Sequence, residues 1–447
     1  MWWHTNDGLL FTIEKLIYGG EGLARLPADE RGRGKAVFLP FVLAGEKVEA
    51  SITQERPGFA RAHVEDILEA SPQRLAARCR YFERCGGCNY QHASYQEQLK
   101  IKTSVLKENL QRLAKLELPE EPVVHPSPPW NYRNRSRLQV RSEGDFELGY
   151  FKISSDGVLP VEECPISSPL INRAIGVLWE LGRSRRIPAA LREIELFADT
   201  DDARLLVELY LDSRLDGRAR ATAGEAIADQ LCGALPEVAT VYAFGQNISR
   251  ARRVGHTSDA PGRVIYPGEF RYRSGTAAFR VSGGSFFQVN RFLVEELATL
   301  VTRGSGGELA LDLYAGVGLF TVGLAERFRH IVGVESAQSS AADLKHNCPP
   351  NVKTVHAPVD AYFAGKGARS RPQLVVADPP RAGLGERVAQ ALVKLDSPRI
   401  RYVSCDPATL ARDLSLLRTG GYRVEQVHLI DLFPQTYHIE SVVELVR

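Results

Sequence analysis

The chain has 447 residues, 56 of them basic and 54 acidic, and this length predicts about three domains of roughly 100–200 residues each. Seven cysteines in a chain of this size exclude a disulfide-dense secreted scaffold. The first residues lack the basic and then apolar order of a secretory signal, and no apolar run reaches the ~18 residues that a membrane helix needs. We therefore expect a cytoplasmic protein of several domains with no membrane partner.

Short strands separated by glycine turns are predicted over residues 8–68. Apolar and polar residues alternate, at least in part, in four segments: 11–16, 35–39, 46–52 and 60–64. Regular short strands of this kind predict a small β-barrel. Further along, apolar residues at helical spacing predict a helix over about 94–115.

Strands and helices mix over residues 127–290, and from about residue 291 they alternate regularly. Regular alternation predicts a doubly wound sheet with mostly parallel strands. The sequence thus predicts a multidomain α/β protein with a small OB-like β-barrel, a central α+β domain and a C-terminal Rossmann-like sheet. The predicted boundaries are 1–70, 71–290 and 291–447.

Arginines cluster in two segments of the chain. Residues 130–141 carry four arginines and no acid, and a second group comprises Arg250, Arg252, Arg253, Arg263, Arg271, Arg273 and Arg280. Arginine interleaved with Trp, Tyr and Asn can pair with phosphates and stack on the bases of single-stranded RNA. A solvated strand face has a similar composition. The sequence leaves these two interpretations open.

A glycine turn follows the first strand of the C-terminal region. At Gly316 and Gly318 the backbone can approach a ligand beside a helix N-terminus. The next strand ends in Glu335, 19 residues after Gly316, where an acid can bind ribose hydroxyls. Thr321 replaces the third glycine of the dinucleotide fingerprint, and Asp312 closes the first strand. The pattern favours an adenosyl cofactor such as S-adenosylmethionine, although a dinucleotide or a ligand-free turn has similar spacing.

Two later strands end at the edge where open α/β sheets bind their ligands. One precedes Asp378 and the other precedes Cys405. Asp406 fits a helix N-cap and Pro407 the first helical position, so the helix dipole would favour a thiolate at Cys405. A cysteine at a strand end is also often just a small buried residue.

Five segments together resemble the motifs of the RNA uracil-5 methyltransferases. They are Leu311–Gly318, Ser285–Asn290, Asp378–Arg381, Ser404–Thr409 and His438–Ser441. Residues 8–68 also resemble the TRAM domain of that family, an RNA-binding barrel, so the likeness covers nearly the whole chain. The resemblance implies a class I methyltransferase sheet at the C-terminus, S-adenosylmethionine as cofactor and RNA as substrate.

The resemblance also implies residue roles. Cys405 matches the nucleophile whose thiolate adds to carbon 6 of uracil, which makes carbon 5 carbanion-like. Glu440 matches the base that removes the carbon-5 proton, and Phe286 matches an aromatic that stacks on the target base. The residues that match cofactor-binding positions are Gln288, Tyr314, Gly316, Gly318, Glu335 and Asp378.

Four other cysteines, Cys79, Cys85, Cys88 and the distant Cys164, form a group of their own. Four thiolates suit tetrahedral zinc or an iron–sulfur cluster, and the spacing leaves both open beside a third interpretation, unrelated buried thiols. The same spacing resembles the branch of the family that carries a [4Fe-4S] cluster. The resemblance therefore implies a structural iron–sulfur cluster in the central domain.

The combination of a TRAM domain with this cysteine group resembles that of the family branch that acts on large-subunit ribosomal RNA. We expect a monomer that modifies 23S rRNA, with transfer RNA as the alternative substrate. A non-catalytic RNA-binding assembly factor is the alternative function, but such a protein would need neither Cys405 nor Glu440.

Overall fold

The computed structural model describes residues 8–28, 34–142, 144–246, 262–365, 367 and 370–447 of the chain. These residues form three large β-sheets of six, seven and eight strands and one two-stranded sheet. The predicted multidomain α/β architecture is confirmed. None of the helices in these ranges is long and apolar enough to cross a membrane.

The first sheet is the predicted small barrel. Its strands are β1 (Leu9–Thr12), β2 (Lys15–Leu16), β3 (Glu21–Arg25), β4 (Ala36–Pro40), β5 (Lys47–Glu55) and β6 (Phe59–Glu69), in the order β1-β5-β6-β4-β3-β2. β1 and β2 are consecutive pieces of one kinked strand. At the kink, the Ile13 amide donates to the Glu46 carbonyl (2.9 Å) and the Glu14 amide to the Leu23 carbonyl (2.8 Å). Because this strand pairs with both ends of the sheet, the sheet closes on itself.

The barrel core follows the alternation of the sequence. Phe11, Val37, Leu39 and Val48 are buried in one cluster, while their strand neighbours face outward. The sequence pattern does not predict β3, because the glycines around it, including Gly22 within the strand, indicate turns. Gly22 is required there, since a Cβ atom would lie 2.3 Å from Val42 Cγ2.

Helix α1 (Tyr95–Ala114) links the barrel to the rest of the molecule and confirms the helix predicted over 94–115. The hydroxyl of Ser94 caps it by accepting from the Glu97 amide at 3.3 Å. Its buried face, which includes Val105, Leu106 and Leu110, joins the largest hydrophobic core that the described residues form.

The second sheet has the order β10-β9-β8-β11-β12-β13-β14, with β12 and β13 parallel and the other neighbours antiparallel. Two helices pack on it, and a hairpin follows it. The elements are β8 (Arg135–Arg141), β9 (Glu147–Phe151), β10 (Val158–Pro160), α2 (Pro169–Arg183), β11 (Leu191–Ala198), β12 (Leu205–Asp212), α3 (Gly217–Ala234), β13 (Val238–Gln246), β14 (Arg263–Tyr266), β15 (Arg271–Ser274) and β16 (Ala277–Arg280).

The third sheet, of eight strands, has the order β19-β18-β17-β20-β21-β23-β22-β7. Its elements are β7 (Val123–His125), α4 (Val294–Thr302), β17 (Gly307–Leu313), α5 (Leu319–Ala325), β18 (Phe328–Glu335), α6 (Gln338–Asn347), β19 (Val352–His356), α7 (Val359–Ala364), β20 (Leu374–Ala377), α8 (Gly385–Leu395), β21 (Arg399–Ser404), α9 (Pro407–Thr419), β22 (Arg423–Ile430) and β23 (Glu440–Val446). The doubly wound, mostly parallel arrangement predicted from residue 291 onward is confirmed, with β7 added at one edge.

The direction of β23 determines which residues meet at the site. Strands β17, β18, β20 and β21 are parallel, so their carboxyl ends share one edge of the sheet. β23 is antiparallel to β21, and Ser441 pairs with Ser404. The first residue of β23, Glu440, therefore lies at the same edge as Cys405.

Candidate active site

The glycine turn after β17 has an unusual backbone. Tyr314, Gly316 and Gly318 all have positive φ, at 62°, 56° and 99°. Tyr314 is strained there, since a non-glycine residue rarely adopts this conformation. A Cβ atom at Gly316 would meet no other atom within 4 Å, so the turn borders open space. Gly318 is the N-cap of helix α5, and among the described residues no side chain caps that end of the helix.

Glu335, at the end of β18, is tied to this turn. Its Oε2 accepts from the Gly316 amide at 2.9 Å and its Oε1 from the Ala337 amide at 2.6 Å. A carboxylate has about four acceptor positions, so capacity for a ribose hydroxyl remains. The arrangement of an acid and a glycine turn fits the adenosyl cofactor that the sequence pattern favours.

Asp312, at the end of β17, is completely buried beneath the turn. Burial, with a smaller contribution from the charge of Glu335, raises its pKa to about 7, although the Thr321 hydroxyl donates to Oδ2 and opposes this rise. In the part of the chain that the structure describes, its Oδ1 has no hydrogen-bond partner. Thr321, which departs from the dinucleotide fingerprint, therefore positions Asp312.

Cys405, Asp378 and Glu440 meet at the shared sheet edge. Burial and, to a lesser extent, the charges of Glu440 and Asp378 together raise the pKa of Cys405 to about 12. Burial and the charge of Asp378 also raise the pKa of Glu440. Asp378 itself has a pKa of about 7 because of burial and the charge of Asp312. A thiol and two carboxyl groups of raised pKa thus share one edge of the sheet.

The predicted helix cap after Cys405 is confirmed. Asp406 accepts from the amides of Ala408 (3.0 Å) and Thr409 (2.9 Å), and Pro407 is the first residue of α9. The expected thiolate-favouring effect of this helix does not dominate, because burial and neighbouring carboxylates raise the pKa of Cys405.

Arg381 also lies at this edge, and its position in the sequence does not by itself indicate a role there. Its charge lowers the pKa of both Cys405 and Glu440. Its Nη2 lies 3.3 Å from Nδ1 of His438, whose pKa is lowered to about 3 by burial and by the charge of Arg381. His438 is therefore neutral. The only sequence signal for Arg381 is its place at the end of the Asp378–Arg381 motif.

Phe286 is 56% exposed, whereas its neighbours Ser285 and Phe287 are buried. The ring of Phe287 packs against Tyr272, with 4.5 Å between centroids. Gln288 is buried two residues further on. The backbone of this segment is thus embedded in the protein and presents one large apolar side chain to solvent.

The first arginine segment is largely internal. Arg135 is buried in contact with Glu195 and lies 2.9 Å from Glu208, and Arg137 lies 2.5 Å from Glu195. Both interpretations from the sequence, an RNA-contacting surface and a solvated face, are wrong for Arg135, because its charge is neutralised inside the central sheet. Sequence alternation cannot show this, since the acids come from strands β11 and β12.

The second arginine group is divided. Arg250, Arg252 and Arg253 lie outside the described residues. Arg263, Arg271 and Arg273 have exposed side chains that pair with Glu225, Glu269 and Asp201 respectively. Arg280 is instead half-buried against Asp343. An RNA-contacting surface at residues 263–273 stays a prediction.

The four grouped cysteines are free and half-buried. Burial, together with the charge of Cys164, raises the pKa of Cys79, of Cys85 (to about 11) and of Cys88. The four sulfurs are therefore electrostatic neighbours. However, across the described ranges no group of three or more His, Cys, Asp or Glu side chains is arranged to hold a metal ion. The structure does not itself present the expected cluster site.

Comparisons with known proteins agree with the fold and the site described above. The model of the tRNA (Uracil-5-)-methyltransferase family matches residues 94–357 and 370–447, and the TRAM domain model matches residues 9–64. An uncharacterized RNA methyltransferase of Aquifex aeolicus is 33% identical over 448 residues, covering 97% of each chain. The 23S rRNA (uracil(1939)-C(5))-methyltransferase RlmD of Pseudomonas putida is 33% identical over 440 residues, covering 96% of this chain and 92% of RlmD.

Among solved structures, the tRNA (uracil-54, C5)-methyltransferase of Pyrococcus abyssi in complex with S-adenosyl-L-homocysteine has the same fold. The TM-score is 0.73 at 24% identity, over 98% of this chain and 100% of the other. The barrel, the sheet and the site define an S-adenosylmethionine-dependent methyltransferase that acts on uracil carbon 5 in RNA. The chain belongs to the tRNA (uracil-5-)-methyltransferase family and carries a TRAM domain.

Proposed function

We propose that this enzyme methylates its target uridine through a covalent bond between Cys405 and carbon 6 of the base. The observation that carries the proposal is the grouping of Cys405, Asp378 and Glu440 at one sheet edge, next to the glycine turn. Cys405 is the nucleophile, Glu440 the base and Phe286 the ring on which uracil stacks.

The proposed steps follow from the chemistry of uracil. Addition of the Cys405 thiolate to carbon 6 moves the electrons of the 5,6 double bond into an enolate, and carbon 5 becomes nucleophilic. S-adenosylmethionine supplies the methyl group that carbon 5 takes. Glu440 then removes the carbon-5 proton, the double bond re-forms, and the Cys405 sulfur leaves as a thiolate. A raised pKa at Glu440 suits a base that must accept a proton near neutral pH.

The cofactor site in this proposal is the turn and its surroundings. Open space at Gly316, the left-handed start of α5 at Gly318 and the acid at Glu335 support it. The full set proposed to hold S-adenosylmethionine is Gln288, Tyr314, Gly316, Gly318, Glu335 and Asp378.

The proposed target is 23S rRNA. This choice is supported by the likeness to RlmD of Pseudomonas putida, which extends over 96% of the chain. Transfer RNA is the second candidate, because the family description and the Pyrococcus abyssi structure both name it. We further propose that residues 1–70, 71–290 and 291–447 serve RNA binding, RNA recognition and methyl transfer, with β7 linking the second region to the third sheet.

We also propose that Cys79, Cys85, Cys88 and Cys164 hold a [4Fe-4S] cluster. The proposal is supported by the donor chemistry, because the four thiols influence one another electrostatically and the backbone amides of Tyr81, Phe82 and Gly87 donate to the sulfurs of Cys79 and Cys85. Amide hydrogen bonds to sulfur are a feature of cluster sites. The cluster has a structural role in this proposal.

Two variants test the chemistry when incubated with labelled S-adenosylmethionine and with separate 23S rRNA and transfer RNA pools. Cys405→Ala should bind RNA yet form neither adduct nor product. Glu440→Gln keeps the side-chain size but removes the base, so RNA already methylated should accumulate on Cys405. Release of the methylated RNA from Cys405 should slow by about 10²–10⁴-fold, so the adduct should accumulate. Because the bond is covalent, the adduct should survive denaturing electrophoresis.

Matched controls are Cys232→Ala, at a half-buried cysteine outside this site, and Glu425→Gln, at an exposed carboxylate. Both should turn over normally. Normal turnover by Glu440→Gln, or no adduct while Cys405 is intact, would show that Glu440 is not the base. Mapping the labelled nucleoside shows whether it lies in 23S rRNA or in transfer RNA, and this result decides between the two candidate targets.

A further inference from the structure

Helix α6 carries a polar stripe formed by Ser339, Asp343 and Asn347, which are spaced four residues apart on one helical face. We call these three residues the α6 stripe. All three bond to the chain around Phe286, which we call the Phe286 segment (residues 280–288). The stripe has no part in the proposed chemistry.

Asp343 is fully buried and accepts four hydrogen bonds from the Phe286 segment. The donors are Arg280 Nε (2.8 Å), the Ser282 amide (2.7 Å), the Ser282 hydroxyl (2.8 Å) and the Ser285 hydroxyl (2.7 Å). A buried carboxylate is stable only with such partners, and bonds to a charged group are the strong ones. Asp343 therefore determines the path of the chain just before Phe286.

The other two members of the stripe hold the chain on either side of Asp343. Ser339 Oγ donates to the Gly283 carbonyl (2.9 Å) and lies 2.7 Å from the Ser285 hydroxyl. Asn347 accepts from the Arg280 amide (2.8 Å) and donates to the Arg280 carbonyl (3.0 Å).

Both ends of α6 are also attached to the candidate cofactor site. At the start, the amide of the N-cap residue Ala337 donates to Glu335 at 2.6 Å. At the end, Asn347 Nδ2 donates to the carbonyl of Val317, in the glycine turn, at 2.9 Å. Hydrogen bonds thus run without a break from Val317 through Asn347 to Arg280, and Glu335 is bonded to the N-cap of the same helix.

We infer that the α6 stripe couples the two sites, with Ser339 and Asp343 as positioning residues. A ligand at Glu335 and the glycine turn restrains both ends of α6, and the stripe then restrains the Phe286 segment. Ordering that segment costs conformational entropy, so a cofactor that has already ordered it allows RNA to bind more tightly. By reciprocity, RNA tightens cofactor binding by the same factor. The inference rests on the proposed function in one respect, the contact of Phe286 with the target base.

Hydrogen exchange of the full-length enzyme, with and without saturating S-adenosylhomocysteine, tests whether a bound cofactor restrains the Phe286 segment. This measurement needs no RNA. Amides of residues 280–288 should exchange more slowly when S-adenosylhomocysteine is bound. This protection should be lost in Asp343→Asn and in the milder Ser339→Ala. Lys345→Ala, on the exposed side of the same helix, is the matched control and should keep it.

The effect of the cofactor on RNA binding is measured as RNA affinity with and without S-adenosylhomocysteine, using the RNA pool that the enzyme methylates. In the wild type, RNA affinity with S-adenosylhomocysteine should exceed that without it by about 5-fold or more. This ratio of affinities should fall to near 1 in both stripe variants. A purely structural role would weaken RNA binding equally in both conditions and leave the ratio unchanged. No added protection in the wild type, or a wild-type ratio in both variants, would overturn the inference. Neither arm depends on Cys405 forming an adduct, so failure of the proposed chemistry is recorded separately.

Discussion

The phenolic oxygen of Tyr18 lies 3.4 Å from the carbonyl oxygen of Cys405, although 387 positions separate the two residues in the chain. Tyr18 belongs to the turn after β2 of the barrel, and its ring packs edge-on against Tyr437 at 5.6 Å between centroids. The N-terminal barrel therefore contacts the chain on both sides of the candidate catalytic edge, Cys405 and the residues before Glu440. This contact suggests a role for the barrel in addition to RNA binding.

Tyr18→Phe should slow adduct formation without weakening RNA binding. The substitution keeps the ring but removes the long hydrogen bond to the Cys405 carbonyl and the hydrogen bond of the phenol with Asp406, so we expect a loss of about 2–5-fold in rate. Single-turnover trapping with RNA that contains 5-fluorouridine measures the step, because fluorine at carbon 5 cannot leave as a proton does. Tyr266→Phe, at an exposed tyrosine of β14, is the control. A wild-type trapping rate in Tyr18→Phe would mean that the contact is incidental.

Alkylation of Cys405 in the ligand-free enzyme should increase with pH and show no plateau below pH 10. Its pKa is raised to about 12, so the reactive thiolate is a minor species that grows about tenfold per pH unit. Iodoacetamide labelling of the peptide that contains Cys405, followed by mass spectrometry, gives the profile. A plateau near neutral pH would instead show that the helix dipole outweighs burial.

Asp378→Asn should accelerate that alkylation only above about pH 7. Asp378 has a pKa of about 7, so it is a carboxylate above that pH and its charge raises the pKa of Cys405. Below pH 7 the residue is already mostly protonated, and the substitution should change little. An equal acceleration at pH 6 and pH 9 would contradict this assignment of charge.

Arg135→Met should destabilise the protein without changing the salt dependence of RNA binding. Removal of Arg135 leaves the buried Glu208 with hydrogen bonds from Tyr210 and Gly284 but without its cation, which costs about 3–5 kcal/mol of unfolding free energy. Arg271→Ala, at an exposed arginine, should instead make the log–log salt slope shallower by about 0.7 if that residue contacts a phosphate. Denaturant unfolding measures the loss of stability, and salt titrations of RNA binding measure the slope. A shallower slope in Arg135→Met would restore the phosphate-contact interpretation.

Anaerobically purified enzyme should contain about four irons and four acid-labile sulfides per chain. Cys85→Ser should lose the metal and much of its solubility, because bound metal contributes directly to folding. Cys232→Ser, at a cysteine outside the group, should keep both. Stoichiometric zinc without sulfide would replace the iron–sulfur assignment with a zinc site.

The sequence by itself determined features that depend on neighbouring residues. The amphipathic pattern of α1, the strand ends before Asp378 and Cys405, and the cap at Asp406 all follow from local preferences, and the structure confirms each of them. Alternation along short strands was also enough to predict the barrel. It was not enough for β3, because glycine within a strand and glycine in a turn look the same in sequence.

Only the tertiary structure decided which distant residues meet. The antiparallel placement of β23 brings Glu440 to Cys405, and the kinked barrel strand brings Tyr18 to the same place. The burial of Arg135 depends on acids from two other strands, so its own segment could not indicate it. The physical reason is the same in each case: burial and pairing of a charge are set by groups that the chain supplies from far away in sequence, whereas local patterns record only what adjacent residues prefer.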